Sequence, residues 1–173
     1  MEFRVSKKND FDAVKAIYDD IMDNMLDGDA GPSWVKGVYP SDEYLMEKIE
    51  LNQLCVVEHE GQIIASVVFD QTASKGYEKV KWKVDAAEDE VLIVHIFATS
   101  RDCQRKGVSK FMIEEAIERA LKKDLKVIRL NVLSGNVPAK KFYEKEGFEY
   151  IDTVELDYGE LGSLEFCMYE YEL

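Results

Sequence analysis

The chain has 173 residues, 46% hydrophobic and 33% charged, which is the balance of a globular protein long enough to bury a proper core. Its net charge of -13 repels the phosphates of nucleic acid and suits either simple solubility or a cationic partner such as an amine. No apolar run approaches the roughly 20 residues of a membrane helix, and Met1 leads directly into charged residues without a secretory signal, so the expectation is a single cytoplasmic domain with neither membrane nor nucleic acid as partner.

Glu2 to Ser6 reads as a short first strand. Phe11, Val14, Ile17, Tyr18, Ile21, Met22 and Met25 recur at helical spacing and predict a first helix that Gly28 stops. Asp27 to Ser41 is a predicted loop carrying Gly28, Gly31, Pro32, Gly37 and Pro40, with Trp34 and Tyr39 inside it. Ser41 caps a second helix whose first turn holds Asp42 and Glu43, where carboxylates suit the helix dipole. Leu54 to Glu58 and Gln62 to Asp70 read as strands joined by a turn at Glu60 and Gly61. Residues 71 to 90 are polar and irregular, ending in the acidic run Asp85 to Glu90. Val91 to Ala98 is apolar on both strand faces and predicts a central, buried strand.

A helix follows from about Val108 to Lys123, with Phe111, Met112, Ile113, Ala116, Ile117, Ala120 and Leu121 on its apolar face. Lys126 to Val132 is a strand, and Val137 to Glu146 a helix capped by Asn136 with Pro138 in its first turn. Two final strands, about Glu149 to Leu156 and Leu164 to Tyr171, flank Tyr158 to Gly162. The order β-α-α-β-β-β-α-β-α-β-β gives an α/β domain with a mixed sheet. Cys55, Cys103 and Cys167 show neither metal nor disulfide spacing and read as reduced thiols. With the two histidines far apart, no metal site is expected.

The junction between the central strand and the following helix concentrates positive charge. From Arg101 to Lys110 there are four cations and one acid, in a chain that is otherwise strongly acidic. A helix leaves its first amides unpaired, and those amides with the dipole make an anion site. Gly107 lets a ligand approach the backbone closely. A phosphorylated ligand fits this contrast; a helix start with solvated lysines is the plainer alternative. The order of residues around Gly107 is not that of a Walker A loop.

Ala98 to Ser109, A-T-S-R-D-C-Q-R-K-G-V-S, resembles motif A of the GNAT superfamily of acyl-CoA-dependent N-acyltransferases. Asn136 to Phe148, N-V-P-A-K-K-F-Y-E-K-E-G-F, resembles its motif B. Two motifs in the right order, separated by a helix and a strand, are specific, and the element order from Glu2 to Leu173 fits as well. The resemblance implies one GNAT-like domain over residues 1–173. It would have a mixed, mostly antiparallel central sheet of about seven strands, flanked by about four helices. Ser109 departs from the usual Gly or Ala, and Arg101 and Cys103 replace a proline and an aromatic residue.

The resemblance also implies roles. The turn Gln104, Arg105, Lys106, Gly107, Val108, Ser109 and Lys110 would hold the pyrophosphate of acetyl-CoA, and the backbone of Phe97, Ala98 and Thr99 its pantetheine arm. Asn136 matches a residue that bonds that arm, while a plain helix cap explains it equally. Tyr143 matches the tyrosine near the CoA sulfur, where a phenol can give a proton to the departing thiolate; an amphipathic packing tyrosine is the alternative. His95, on the central strand and two residues before Phe97, is the expected base that takes the amine's proton, against a hydrogen-bonded core histidine; Glu58 is an acid without a motif behind it. Trp34, Tyr39 and Trp82 are expected walls of the acceptor pocket or parts of the core.

The expected activity is therefore acetyl transfer from acetyl-CoA to a primary amine, carried by a small molecule or a protein, by a monomer or homodimer. A non-catalytic acyl-CoA-binding or sensing module on the same fold is the competing reading.

Overall fold

The structure is a computed structural model that describes residues 1–25, 34–157 and 162–173. The chain runs β1 (Glu2–Val5), α1 (Phe11–Asp23), α2 (Asp42–Glu50), β2 (Leu54–His59), β3 (Gln62–Asp70), β4 (Val91–Thr99), α3 (Val108–Lys122), β5 (Val127–Leu133), α4 (Val137–Lys145), β6 (Glu149–Asp157) and β7 (Ser163–Glu172). The element order read from the sequence is the order observed. The strands form a 7-stranded sheet in the order β1-β2-β3-β4-β5-β7-β6, and the pairs β1–β2, β2–β3, β5–β7 and β6–β7 are antiparallel.

The described residues cluster into two compact units, one of residues 1–25, 34–70 and 94–116, the other of residues 71–93, 117–157 and 162–173. In the first, the apolar stripe of α1 (Val14, Ile17, Tyr18) and that of α2 (Leu45, Ile49) are buried with Leu54, Val56, Val68, Ile96 and Ala98 of β2, β3 and β4. Each valine, leucine and isoleucine among them contributes roughly 1.5–3 kcal/mol on leaving water. Ser41 caps α2 as expected, its Oγ accepting from the Tyr44 amide at 3.2 Å. Helix α1 ends earlier than its periodicity predicts, at Asp23 rather than beyond Met25. Asn24 accounts for this, since its side-chain amide donates to the Asp20 carbonyl at 2.8 Å and closes the last turn. Gly28, Gly31 and Pro32, expected to end that helix and open a loop, lie outside the described residues.

Strand β4 is buried as expected but is not regular. Ile96 sits at φ +41, a conformation that costs a β-branched residue energy and persists only when its surroundings hold it. The Tyr18 hydroxyl supplies part of that hold, donating to the Ile96 carbonyl at 2.7 Å with Ser66 Oγ 3.2 Å away. Burial still alternates across Ile96, with His95 and Phe97 half-buried and Ile96 buried.

In the second unit, β5, β7 and β6 bury Val127, Phe166, Met168 and Leu156 against Tyr77, Val80, Val91 and Ile93. Residues 71 to 90, polar in sequence, are therefore anchored rather than loose. Tyr77 and Val80 insert into the core, and the Glu170 carboxylate of β7, 2% exposed, accepts the amides of Lys83 and Val84 at 2.8 and 3.0 Å. Gly76 opens the turn at φ +109, and a Cβ there would fall 2.5 Å from a methyl of Leu156. The expected turn from Tyr158 lies outside the described residues up to Gly162.

Candidate active site

After β4, Arg101–Cys103 make one tight 3-10 turn. Arg105 and Gly107 then take positive φ of 60° and 82°. The Gly107 carbonyl accepts the Phe111 amide at 3.0 Å and so starts α3. Among the described residues, the amides from Arg105 to Lys110 donate to no protein acceptor. Successive N–H groups with alternating signs of φ form a concave donor row of the kind that holds an anion. A Cβ on Gly107 would meet nothing within 4 Å, so the space beside it is open. Gln104, Arg105, Lys106 and Lys110 are exposed around it. Arg101 and Lys110 make only long contacts to acids, 3.9 Å to Asp20 and 3.8 Å to Glu114. A diphosphate fits this turn in charge and in donors.

Not every side chain of the motif is available to a ligand. Val108 and Ala98 are core residues, so only their backbone is open to one. Ser109, the departure from the motif, gives its hydroxyl to the protein: Ser109 Oγ lies 3.1 Å from Thr99 Oγ1 and ties the end of β4 to the start of α3.

His95 belongs to a network that the sequence did not announce. Its Nε2 lies 2.9 Å from Asp70 Oδ1 at the end of β3, and Lys48 of α2 reaches Asp70 Oδ2 at 2.8 Å. Lys48 also donates to Gln53 Oε1 at 3.0 Å. The Asp70 side chain is 1% exposed and that of His95 10%. A carboxylate only accepts, so a neutral imidazole must carry its proton on Nε2, leaving the lone pair on Nδ1. Nδ1 has no hydrogen-bond partner among the described residues. This is the arrangement of an oriented base: one nitrogen fixed by a buried acid, the other free to accept a proton. Glu58, the other acid considered, is taken up by Arg4, whose Nε and Nη2 lie 3.0 and 2.8 Å from its Oε2. Asp70 was legible only as the last residue of the strand read from Gln62 to Asp70.

In the second unit, Asn136 caps α4 through Oδ1, which accepts the Ala139 amide at 3.2 Å. Tyr143 is buried on α4, edge-on to Phe142 and Phe148 at 5.2 and 5.5 Å. Burial pushes its phenol pKa well above the ordinary value. The three expected pocket aromatics are not one cluster. Trp34 packs edge-on to Tyr18 at 5.2 Å and Tyr39 against Tyr44 at 5.5 Å, both at the margin of the α1–α2 core. Trp82 lies in the second unit, 5.4 Å from Tyr77.

Among the described residues, no helix is long and apolar enough to cross a membrane. A protein of Bacillus subtilis (strain 168) named "Putative phosphinothricin acetyltransferase YwnH" is 27% identical over 152 residues, spanning 86% of this chain and 83% of that one. The fold matches a GNAT-family acetyltransferase from Streptococcus agalactiae 2603 with TM-score 0.78 and 18% identity, over 99% and 95% of the two chains. It also matches the YncA protein of Salmonella typhimurium, solved with its cofactor acetyl-CoA, with TM-score 0.71 and 16% identity over 100% and 94% of the chains. Residues 15–148 match the sequence model of the acetyltransferase (GNAT) family, and with both motifs and the strand order in place, the chain belongs to that family.

Proposed function

We propose that this protein is an N-acetyltransferase that moves the acetyl group of acetyl-CoA to a primary amine by direct attack on the thioester. The observation that carries the reading is His95, with Nε2 fixed on buried Asp70 at 2.9 Å and Nδ1 unpartnered among the described residues. An ammonium cannot attack a carbonyl, so a proton must leave the amine, directly or through water. Nδ1 would take it, and Asp70 would stabilise the imidazolium that results. The turn from Arg105 to Lys110 would hold the pyrophosphate of the co-substrate. Acetyl-CoA itself supplies the activated acyl carbonyl and a thiolate leaving group.

Tyr143 has a narrower role than full proton donation. A thiol titrates near 8.5 and an ordinary phenol near 10, and burial raises Tyr143 further. Between an ordinary phenol and an ordinary thiolate, complete transfer is uphill by about 2 kcal/mol, and burial raises both groups. The phenol contributes a hydrogen bond to the developing negative charge instead.

The test is thiol release from acetyl-CoA across a panel of primary amines, alongside calorimetric binding. Amine-dependent CoA release is the expected result. Saturable binding with no release from any amine would support the non-catalytic acyl-CoA module. Gly107→Glu, in open space at an exposed turn, should abolish acetyl-CoA binding with the circular dichroism intact; unchanged affinity would place the cofactor elsewhere.

A further inference from the structure

The second unit holds a cavity of about 310 Å³, at the small end of the range for small-molecule sites. Its lining includes Ser74, Lys75, Tyr77, Trp82, Glu88 and Arg129. Two aromatic walls are pinned. The Trp82 indole donates to the Tyr77 carbonyl at 3.1 Å, and the Tyr77 hydroxyl donates to Asn131 Oδ1 at 3.1 Å. Behind them stands Arg129 of β5, with a side chain only 9% exposed. Its Nε bonds Glu170 at 3.3 Å, its Nη2 donates to the Val84 carbonyl at 2.7 Å, and its guanidinium lies 4.3 Å from the Trp82 ring centroid.

These contacts leave one edge over. Nη1 of Arg129 has no hydrogen-bond partner among the described residues, yet no buried side-chain nitrogen or oxygen among them is unsatisfied, so Nη1 is open to the cavity that Arg129 lines. Glu170 does not reach across to complete it, because its other oxygen is committed to the amides of Lys83 and Val84. A nearly buried cation with an open donor edge calls for an anion, since a charge-assisted bond is worth about twice a neutral one. Lys75 adds a second cation to the lining, Glu78 and Glu88 offset the two, and Glu170 already pairs with Arg129 through Nε. That balance favours a monoanion over a phosphate, and the aromatic walls favour an apolar body.

We propose that this cavity binds a small organic monocarboxylate with an aromatic or branched apolar body, its carboxylate on Nη1 of Arg129 and its body against Trp82 and Tyr77. Trp82 was an expected wall of the acceptor pocket and packs here on Tyr77; no other residue of the proposed site has a part in the acyl-transfer reading. The experiment titrates the protein with phenylacetate, 2-phenylethanol and phenethylamine, read by calorimetry and by tryptophan fluorescence. Phenylacetate should saturate, with the alcohol and the amine at least tenfold weaker. Arg129→Lys, which keeps the charge and loses the fork, should weaken phenylacetate tenfold or more. Ala73→Trp, a filling of the exposed rim, should abolish binding with the circular dichroism unchanged. Equal affinity for the three probes, no saturation by about 10 mM phenylacetate, or binding unaffected by Ala73→Trp would each overturn the proposal. The rim variant decides the matter even if Arg129→Lys fails to fold.

Discussion

Asp70→Asn removes one charge and almost no volume from the centre of the Lys48–Asp70–His95 network. The Lys48 side chain, 11% exposed, would keep the Gln53 oxygen at 3.0 Å and the face of the Tyr44 ring, with no carboxylate beside it. Breaking a buried pair by neutralising one member costs about 3–5 kcal/mol, because the remaining charge stays desolvated. For a protein of this size each kcal/mol moves Tm by roughly 2–4 °C, so the expected fall is roughly 6–20 °C. Thermal unfolding followed by circular dichroism measures it. The double variant Asp70→Asn, Lys48→Met removes the stranded charge and should recover most of the lost Tm. It should not recover turnover, because an asparagine can donate or accept toward His95 and no longer selects the tautomer with a free Nδ1. A single variant within 2 °C of wild type would refute the buried pair. A double variant with wild-type kcat would refute the orientation of His95.

Tyr18→Phe leaves the ring in place and strips the donor from the Ile96 carbonyl, so stability should fall by about 1–3 kcal/mol in guanidinium unfolding; an unchanged midpoint would mean that the Ile96 conformation holds without it. Tyr143→Phe should leave acetyl-CoA affinity nearly unchanged and lower kcat about 10- to 10²-fold, the worth of one hydrogen bond to a charged group, whereas a loss near 10⁴-fold would show that the phenol gives up its proton after all. Arg4 grips Asp10 through two nitrogens at 2.7 and 3.0 Å, and this bond holds the Asp10 carboxyl below its ordinary value. Its folded pKa lies under the unfolded one, so its stabilisation is present above about pH 4 and disappears as the pH falls through the folded value. Wild-type Tm should therefore drop more steeply below pH 4 than that of Asp10→Asn, and parallel acid limbs would contradict the assignment.

Sequence alone determined the element order, since the helices and strands carry their own periodicities, and Ser41 and Asn136 cap the helices they precede. It also determined the turn proposed to hold the pyrophosphate, because Gln104 to Lys110 is contiguous and a helix start leaves its amides unpaired wherever it occurs. What lies between distant segments was decided by tertiary structure. Asp70 and His95 are 25 residues apart, and Lys48 a further 22 before Asp70; no local spacing ties them. Ile96 looks like an ordinary strand residue until the fold brings Tyr18 to its carbonyl from 78 positions away. Ser109 reads as a small departure in a motif, and only the folded chain gives its hydroxyl to Thr99. The polar stretch 71 to 90 offers no periodicity, so its packing and the cavity at Arg129 are set by which of its few apolar residues find the β5–β7–β6 surface. Periodicity and capping act over a turn of chain and are written locally, while the partner of a buried charge is chosen by the fold that brings it within 3 Å.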